Sequence, residues 1–308
     1  MRKPPPPPTP PAAPLDLFRY RKFPLILGGI TVLAFSSYSF YLYASLQRAI
    51  AEGTSIDIPA DVSQRYNSIA TTFDSSVEST ENLIGLTRLR RKLVQQASGN
   101  VCEVSIGTGR NLTFYDWDFK SFNGMGNQLT KRGKVKSFTA VDKSTEMLEI
   151  AHEKFSKEYP DLLGVRWVVQ DAAEPLPSPP ASANERSGNK KRKKYDTIVQ
   201  TMGLCSTSDP VRLLKNLGES VEDDGRILLL EHGRGTWNWL NQVLDGLAPR
   251  HAIEFGCIWN KDIGKIVEDS GLEIVKMKRK HFGTTWWIEL RPRRHEAAET
   301  RRDNPMNN

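Results

Sequence analysis

The sequence predicts an α/β domain: a largely parallel sheet with helices on both faces, closed by an antiparallel hairpin and preceded by one transmembrane helix. Three observations carry this. Between residues 101 and 231, short apolar runs alternate with segments of helical period, as parallel strands joined by crossover helices do. The last two runs, 272–280 and 284–291, are separated only by a turn at Phe282-Gly283, which makes a hairpin. Finally, residues 23–43 contain no charged side chain, and a bilayer span needs about twenty such residues.

The N-terminal 22 residues are a proline tract followed by a basic stretch, too poor in apolar side chains to fold, and are expected to be disordered. Pro24 suits the first turn of the span at 23–43, where its missing N–H costs little. Arg19, Arg21 and Lys22 precede the span, and Tyr38, Tyr41 and Tyr43 suit an aromatic belt at its far end. A cleaved signal would be shorter and would end in small residues, so a single-pass anchor is expected. The basic flank puts the N-terminus on the side where the chain is made, or on the matrix side of an inner membrane, with the rest across the bilayer.

Residues 44–61 read as a linker and 62–292 as one domain, followed by a disordered tail over 293–308. From residue 62 a helical period places Tyr66, Ile69, Ala70, Phe73 and Val77 on one face. A second helix over 79–97 carries Leu83, Leu86, Leu89, Leu93 and Val94, ringed by Arg88, Arg90, Arg91 and Lys92. Strands follow at 101–106, 136–141, 165–170, 195–202 and 226–231, the last after an Asp224-Gly225 turn. Helices lie at 144–159, with Ser144 as N-cap and Met147, Leu148, Ala151 and Phe155 inward, and at 209–221. Two stretches interrupt the pattern. One is 119–134, with Asn123-Gly124 and Gly126-Asn127; the other, 175–194, is Pro/Ser-rich, ends in a basic run and is expected to be a disordered loop.

The formal net charge is +7, but much of the excess lies beside the apolar span, in the 190–194 run and in the tail. A nucleic-acid surface would instead spread basic and aromatic residues over folded elements, so nucleic acid is not the expected partner. The cysteines, Cys102, Cys205 and Cys257, have neither disulfide nor zinc spacing, and no metal site is expected. Cys257 reads as a small packed residue, since no base stands next to it in the chain.

Ligands of open α/β sheets sit at the carboxyl ends of the strands. Three strand runs end, or nearly end, in an acid: Glu103, Asp142 and Asp171. Asp142 can accept both hydroxyls of a ribose, and Asp171 can accept from the exocyclic amine of adenine. The first strand runs into a tight Gly107-Thr108-Gly109 turn, where backbone can approach a ligand closely. Glu103 stands where the phosphates of a dinucleotide would approach; a carboxylate repels them and suits a cation. The cationic adenosine ligand with an amino-acid tail is S-adenosylmethionine, with Glu103, Gly107 and Gly109 at its methionine part. His232, closing the fifth strand, is the candidate general base. Trp237, Trp239, Leu240, Val243 and Leu244 follow it and suit an apolar cover over a lipophilic acceptor.

Residues 66–292 resemble the class I S-adenosylmethionine-dependent methyltransferases. The likeness runs through Glu103-Val-Ser-Ile-Gly-Thr-Gly109, Ala140-Val-Asp142, Gln170-Asp-Ala-Ala-Glu-Pro-Leu-Pro177 and Gly225-Arg-Ile-Leu-Leu-Leu-Glu-His232. Tyr66-Asn-Ser-Ile-Ala-Thr-Thr-Phe-Asp74, Leu89-Arg-Arg91, Glu231-His232 and Phe255-Gly-Cys257 are similar, more narrowly, to the fungal mitochondrial inner-membrane methyltransferases of the Oms type and to membrane-associated thiol methyltransferases. The resemblance implies a Rossmann-like seven-stranded sheet with an antiparallel last strand and S-adenosylmethionine as cofactor. It also implies methyl transfer and, through the Oms-type likeness, the mitochondrial inner membrane; the apolar group at 237–244 beside the anchor suggests a lipophilic small acceptor such as a thiol, phenol or quinone precursor. Ser105 departs from it, standing where many relatives have glycine, and 119–134 lengthens the route to Asp142. A membrane-anchored assembly protein that keeps the fold without turnover is the alternative. An RNA methyltransferase is disfavoured, because Thr201-Met-Gly-Leu204 replaces an Asn-Pro-Pro-Tyr-type signature.

Overall fold

A computed structural model describes residues 3–4, 17–54, 56–59, 62, 64–122, 133–180 and 193–293. The expectations for 5–16, for the Asn123-Gly124 and Gly126-Asn127 turns, for 181–192 and for the 294–308 tail lie outside the described residues.

Helix α1 runs over Leu17–Thr54. It begins earlier than expected, so Pro24 lies inside the helix instead of in its first turn, and it ends later, taking up part of the expected linker. Between Lys22 and Gly53 it is long and apolar enough, by length and composition, to cross a membrane. Its large apolar side chains, from Phe23 to Tyr43, stand exposed along the helix.

The second unit begins with α2 (Arg65–Ile84) and α3 (Leu86–Val94). The sequence placed the break between these helices near residue 78; it lies at Gly85, whose φ of +76° is left-handed backbone that side-chain-bearing residues seldom adopt. Nothing near residue 78 resists a helix, so α2 continues until that glycine.

The sheet has seven strands in the order β3-β2-β1-β4-β5-β7-β6. These are β1 (Gly99–Val104), β2 (Val135–Asp142), β3 (Arg166–Val169), β4 (Tyr195–Thr201), β5 (Val221–His232), β6 (Glu273–Lys280) and β7 (Thr285–Arg291). All pairs from β3 to β5 are parallel, whereas β7 runs antiparallel to both β5 and β6. The expected antiparallel last strand is therefore present, inserted between β5 and β6. The chain order reverses between β1 and β4, and that reversal opens a crevice at their carboxyl ends. The Asp224-Gly225 turn expected ahead of β5 lies within it. Tyr195 pairs with Val221 but Thr197 with Arg226, so the extra β5 residues bulge out there.

Both faces of the sheet are covered, and residues alternate between them with period two. Val101, Val199, Leu228 and Leu230 point into one core; Cys102, Val104, Ile198, Ile227 and Leu229 point into the other. The first core packs under α3 and α5 (Thr145–Glu158), the second under α6 (Pro210–Ser220) and α8 (Ile263–Ser270). Helix starts follow the side chains that cap them: Ser144 Oγ accepts from Met147 N–H at 3.2 Å, Asp209 from Arg212 N–H at 2.9 Å and Asp262 from Lys265 N–H at 3.0 Å. Between α4 (Phe119–Phe122) and the rest of the domain, Trp117 packs against Tyr115, Phe122, Phe138, Phe155 and Tyr159 with ring centroids 5.1–6.0 Å apart. The start of the expected 175–194 loop is also packed: Leu176 is buried, and Tyr195 Oη donates to the Pro177 carbonyl at 2.8 Å.

Trp117 is 2% exposed and joins five rings, so Trp117→Ala removes the centre of that cluster. Urea unfolding should register a loss of about 3–5 kcal/mol; a loss under about 1 kcal/mol would mean the aromatic cluster contributes little to the domain.

Candidate active site

A cavity of about 450 Å³ lies at the carboxyl ends of the strands. Its floor is made by Ser105, Ile106 and Gly107 after β1, Asp142 at the end of β2, Thr201 at the end of β4 with Met202 and Gly203 after it, and His232 at the end of β5. Helix α2 roofs it with Tyr66, Phe73 and Val77, and Tyr66 Oη is 2.9 Å from Ser206 Oγ across the space.

The turn after β1 owes its shape to three left-handed residues: Ser105 (φ +51°), Gly107 (φ +57°) and Gly109 (φ +76°). Ser105, in the place of a glycine, tolerates the same backbone at a cost of roughly 1–2 kcal/mol. The two glycines do different things. A Cβ on Gly107 would meet nothing within 4 Å, and this residue lines the cavity. A Cβ on Gly109 would press on Leu112 and lie 3.1 Å from Ala151 Cβ, so Gly109 seats the turn on α5 and does not line the cavity.

Asp142 is held by backbone donors: Gly107 N–H at 2.7 Å on one oxygen and Ser144 N–H at 2.9 Å on the other, with Lys143 N–H also contributing. Burial raises its pKa, and those backbone donors oppose the rise. Asp171 lines the same cavity; one oxygen accepts from Ala173 N–H at 2.9 Å, and the other is 3.5 Å from Lys143 Nζ.

Glu103 is placed differently from the expectation. It is 1% exposed, on the same face of β1 as Val101, and does not line the cavity. Asn111 and Tyr115 donate to its two oxygens, each at 2.7 Å. Asn111 stands between Glu103 and the cavity, and its Oδ1 is buried with no partner among the described residues. Burial pushes the Glu103 pKa up to about 7, against the lowering effect of those two donors.

The sequence reading missed the side chains that fasten the roof. Asn111 Nδ2 and Arg90 both donate to Thr201 Oγ1, at 2.9 and 2.6 Å. Arg90 also makes a two-pronged pair with Glu81 at 3.1 and 2.9 Å, and Arg110 joins Glu81 at 2.9 Å. Arg110, Thr108 and Lys154 converge on Asp74. Burial opposes ionisation of both acids, but Arg90 and Arg110 hold the Glu81 carboxyl below its usual value, and Lys154, Thr108 and Arg110 do the same for Asp74. The visible signal was that Asp74 and Glu81 are seven residues apart in one helix, hence on one face.

His232 lines the cavity with two thiols that the sequence left apart. Its Nε2 is 2.6 Å from Cys257 Sγ, and Cys205 completes a group whose donor atoms lie within 4.8 Å of one another. Cys257 therefore does have an adjacent base, supplied by tertiary packing. Burial alone would lower the His232 pKa; the charge and hydrogen bonding of Cys205 outweigh it, and the result is a raised value. Main-chain atoms fix this corner: Ile258 N–H donates to the Cys205 carbonyl at 3.0 Å. Glu231, fully buried, accepts from Gly203 and Leu204 N–H at 3.1 and 3.2 Å, and burial raises its pKa to about 8. The apolar wall comes from His251 and Phe255 at the far end of α7 (Asn238–Phe255) and from Trp259. Trp237 and Trp239, expected as the cover, instead stack on each other outside the cavity, 46% and 60% exposed.

Glu103 supplies a pH test. Its folded pKa of about 7 exceeds the ordinary 4.5, so the native state binds more protons between those values. Its contribution is thus fully present at low pH and falls as pH rises towards 7, by on the order of 3 kcal/mol. Glu103→Gln keeps an acceptor for Asn111 and lets Tyr115 Oη accept, and it removes this term. Relative to wild type, the variant should be more stable at about pH 8 than at about pH 5 in urea titrations; a pH-independent difference would contradict the buried-acid account.

The pattern defining a family described as a methyltransferase domain matches residues 81–277. The mitochondrial methyltransferase OMS1 of Saccharomyces cerevisiae is 39% identical over 236 residues, covering 75% of this chain. The chain spans only 46% of that curated relative. Among solved structures, a chain of the complex between the Haloferax volcanii Trm112 methyltransferase activator and a methyltransferase is similar at TM-score 0.50 and 13% identity, over 76% of this chain and 99% of that one. NcsB1, an O-methyltransferase from neocarzinostatin biosynthesis in complex with S-adenosyl-L-homocysteine and 1,4-dihydroxy-2-naphthoic acid, is similar at TM-score 0.49 and 19% identity, over 73% and 58% of the two chains. At 13% identity the likeness to the Haloferax volcanii chain speaks to the fold alone.

Proposed function

The chain belongs to the methyltransferase family, and from that premise we propose that it is a membrane-anchored enzyme methylating a small lipophilic acceptor with S-adenosylmethionine. The observation that carries the reading is the convergence of Gly107, Asp142 and Asp171 on one cavity beside a buried, unpartnered acceptor atom, Asn111 Oδ1. That donor and acceptor set fits this cofactor. Asn111 Oδ1 accepts from an ammonium, with the Glu103 carboxylate behind it as a positioning group. Asp142 accepts from ribose hydroxyls, and Asp171 from the adenine amine. Gly107 leaves room for the chain of the ligand at the turn.

When bound, the cofactor supplies a methyl group on a sulfonium already activated for in-line displacement. The protein's work is alignment and exclusion of water. Tyr66, Phe73 and Val77 close the roof, and Phe255 and Trp259 make an apolar wall that suits a lipophilic acceptor. His232 Nε2, paired with Cys257, is the nearby proton acceptor for a thiol or phenol that must lose its proton. The apolar helix α1, with the mitochondrial assignment of the OMS1 relative, supports single-pass anchoring in the mitochondrial inner membrane.

Calorimetry with S-adenosylmethionine should show Asp142→Ala weakening binding at least tenfold, about 1.4 kcal/mol. In the same samples, labelled methyl transfer to hydrophobic thiols and phenols should disappear; equal transfer by wild type and variant would sink the reading. For the anchor, the full chain should remain in the membrane pellet after an alkaline carbonate wash, whereas a chain lacking residues 23–43 should be released. Release of the full chain would rule the anchor out.

A further inference from the structure

We propose that Cys205, His232 and Cys257 form a binding site for a borderline-soft divalent cation, Zn²⁺ first among them, in the wall of the cavity. The three donors come from separate segments: the loop after β4, the end of β5 and the residue following Gly256 at the C-terminus of α7. Their donor atoms lie within 4.8 Å of one another. Zinc–sulfur and zinc–nitrogen bonds of about 2.3 and 2.0–2.1 Å place tetrahedral donors roughly 3.5–3.8 Å apart. The His232 Nε2 to Cys257 Sγ separation of 2.6 Å must therefore widen by about 1 Å, which side-chain rotation supplies.

Main-chain bonds place the thiols without using the thiols themselves. Ile258 N–H holds the Cys205 carbonyl, Lys261 Nζ donates to the Leu204 carbonyl at 2.9 Å, and Glu231 takes the Gly203 and Leu204 N–H groups. The segment carrying Cys205 is thus fixed in place, while the His232 and Cys257 side chains adjust to the ion. Charge fits as well. Two thiolates and a neutral imidazole cancel a divalent cation, so the loaded site adds no net charge to a buried wall. Loading releases two protons to solvent, one from the Cys257 thiol and one shared between Cys205 and His232.

All three residues line the cavity, so three protein ligands leave one coordination position facing open space. Closed structural zinc sites lack such a position; catalytic ones have it. On the methyl-transfer reading, that position would take the heteroatom of the acceptor and hold it as its anion. Loading also occupies the His232 Nε2 lone pair, so the ion would then act by lowering the pKa of the bound acceptor, whose proton would leave to solvent. Cys102 belongs to the core on one face of β1 and takes no part.

The test uses the full chain, stripped by chelation and titrated with Co²⁺ and then Zn²⁺. One equivalent of Co²⁺ should give intense tetrahedral d–d absorption with a sulfur-to-metal charge-transfer band. One equivalent of Zn²⁺ should bleach both, with about two protons released per ion. Cys205→Ser and Cys257→Ser should each weaken the charge-transfer band and lower Co²⁺ affinity at least tenfold, while Cys102→Ser leaves both unchanged. In the unmutated chain, Zn²⁺ should protect Cys205 and Cys257 from alkylation by iodoacetamide, read by mass spectrometry. Absence of the charge-transfer band in wild type, or its equal loss in Cys102→Ser, overturns the site. S-adenosylmethionine calorimetry on the same samples keeps the two readings apart: cofactor binding without Co²⁺ binding removes only the metal site, and the reverse removes only the proposed enzyme.

Discussion

A single hydrogen-bonded line ties the sheet to the helix that roofs its crevice. It starts at Tyr115 in the aromatic core, passes through Glu103 and Asn111 to Thr201, then through Arg90, Glu81 and Arg110 to Asp74. Strands β1 and β4, the turn after β1, and helices α2 and α3 all contribute to it. Each member is costly alone: a buried carboxylate without donors, or a buried guanidinium without an acid, would lose several kcal/mol. Paired in series, they make the roof, the floor and the turn one structure. The cavity is the space this line leaves over the ends of the strands.

The same line explains why Glu103 does not reach the cavity. An acid on that face of β1 is carried into the core by the period-two alternation that also buries Val101. Asn111 then presents to the cavity what Glu103 cannot, an oriented amide whose far end is fixed by the acid. In the proposed site, recognition of a cation would thereby be divided between two side chains, one supplying charge and the other contact. Asp142 needs no such intermediary, because it ends its strand and meets the turn directly.

Much of the fold was legible because it rests on local rules. Apolar runs marked every strand to within a few residues. Ser144 and Asp209 announced helix starts, and the short link at Phe282-Gly283 foretold the hairpin. Gly107, Asp142, Asp171 and His232 were legible as strand-end residues and do meet in one cavity. What the sequence concealed depends on distance along the chain. Arg90 meets Thr201 across 111 positions, and His232 meets Cys257 across 25. No spacing rule brings such residues together; packing does. Trp237 and Trp239 misled for the opposite reason, since nearness in sequence to the end of β5 was taken for nearness in space to the cavity.

The bond from Ile258 N–H to the Cys205 carbonyl has a consequence for how this corner can change over generations. Because only main-chain atoms make it, either thiol can be exchanged for serine or alanine while the two loops stay in contact. The corner behaves as a socket whose shape belongs to the backbone and whose reactivity belongs to interchangeable inserts. If the cavity holds the acceptor as proposed, one substitution at position 205 or 257 would change the chemistry it meets without rebuilding the walls around it.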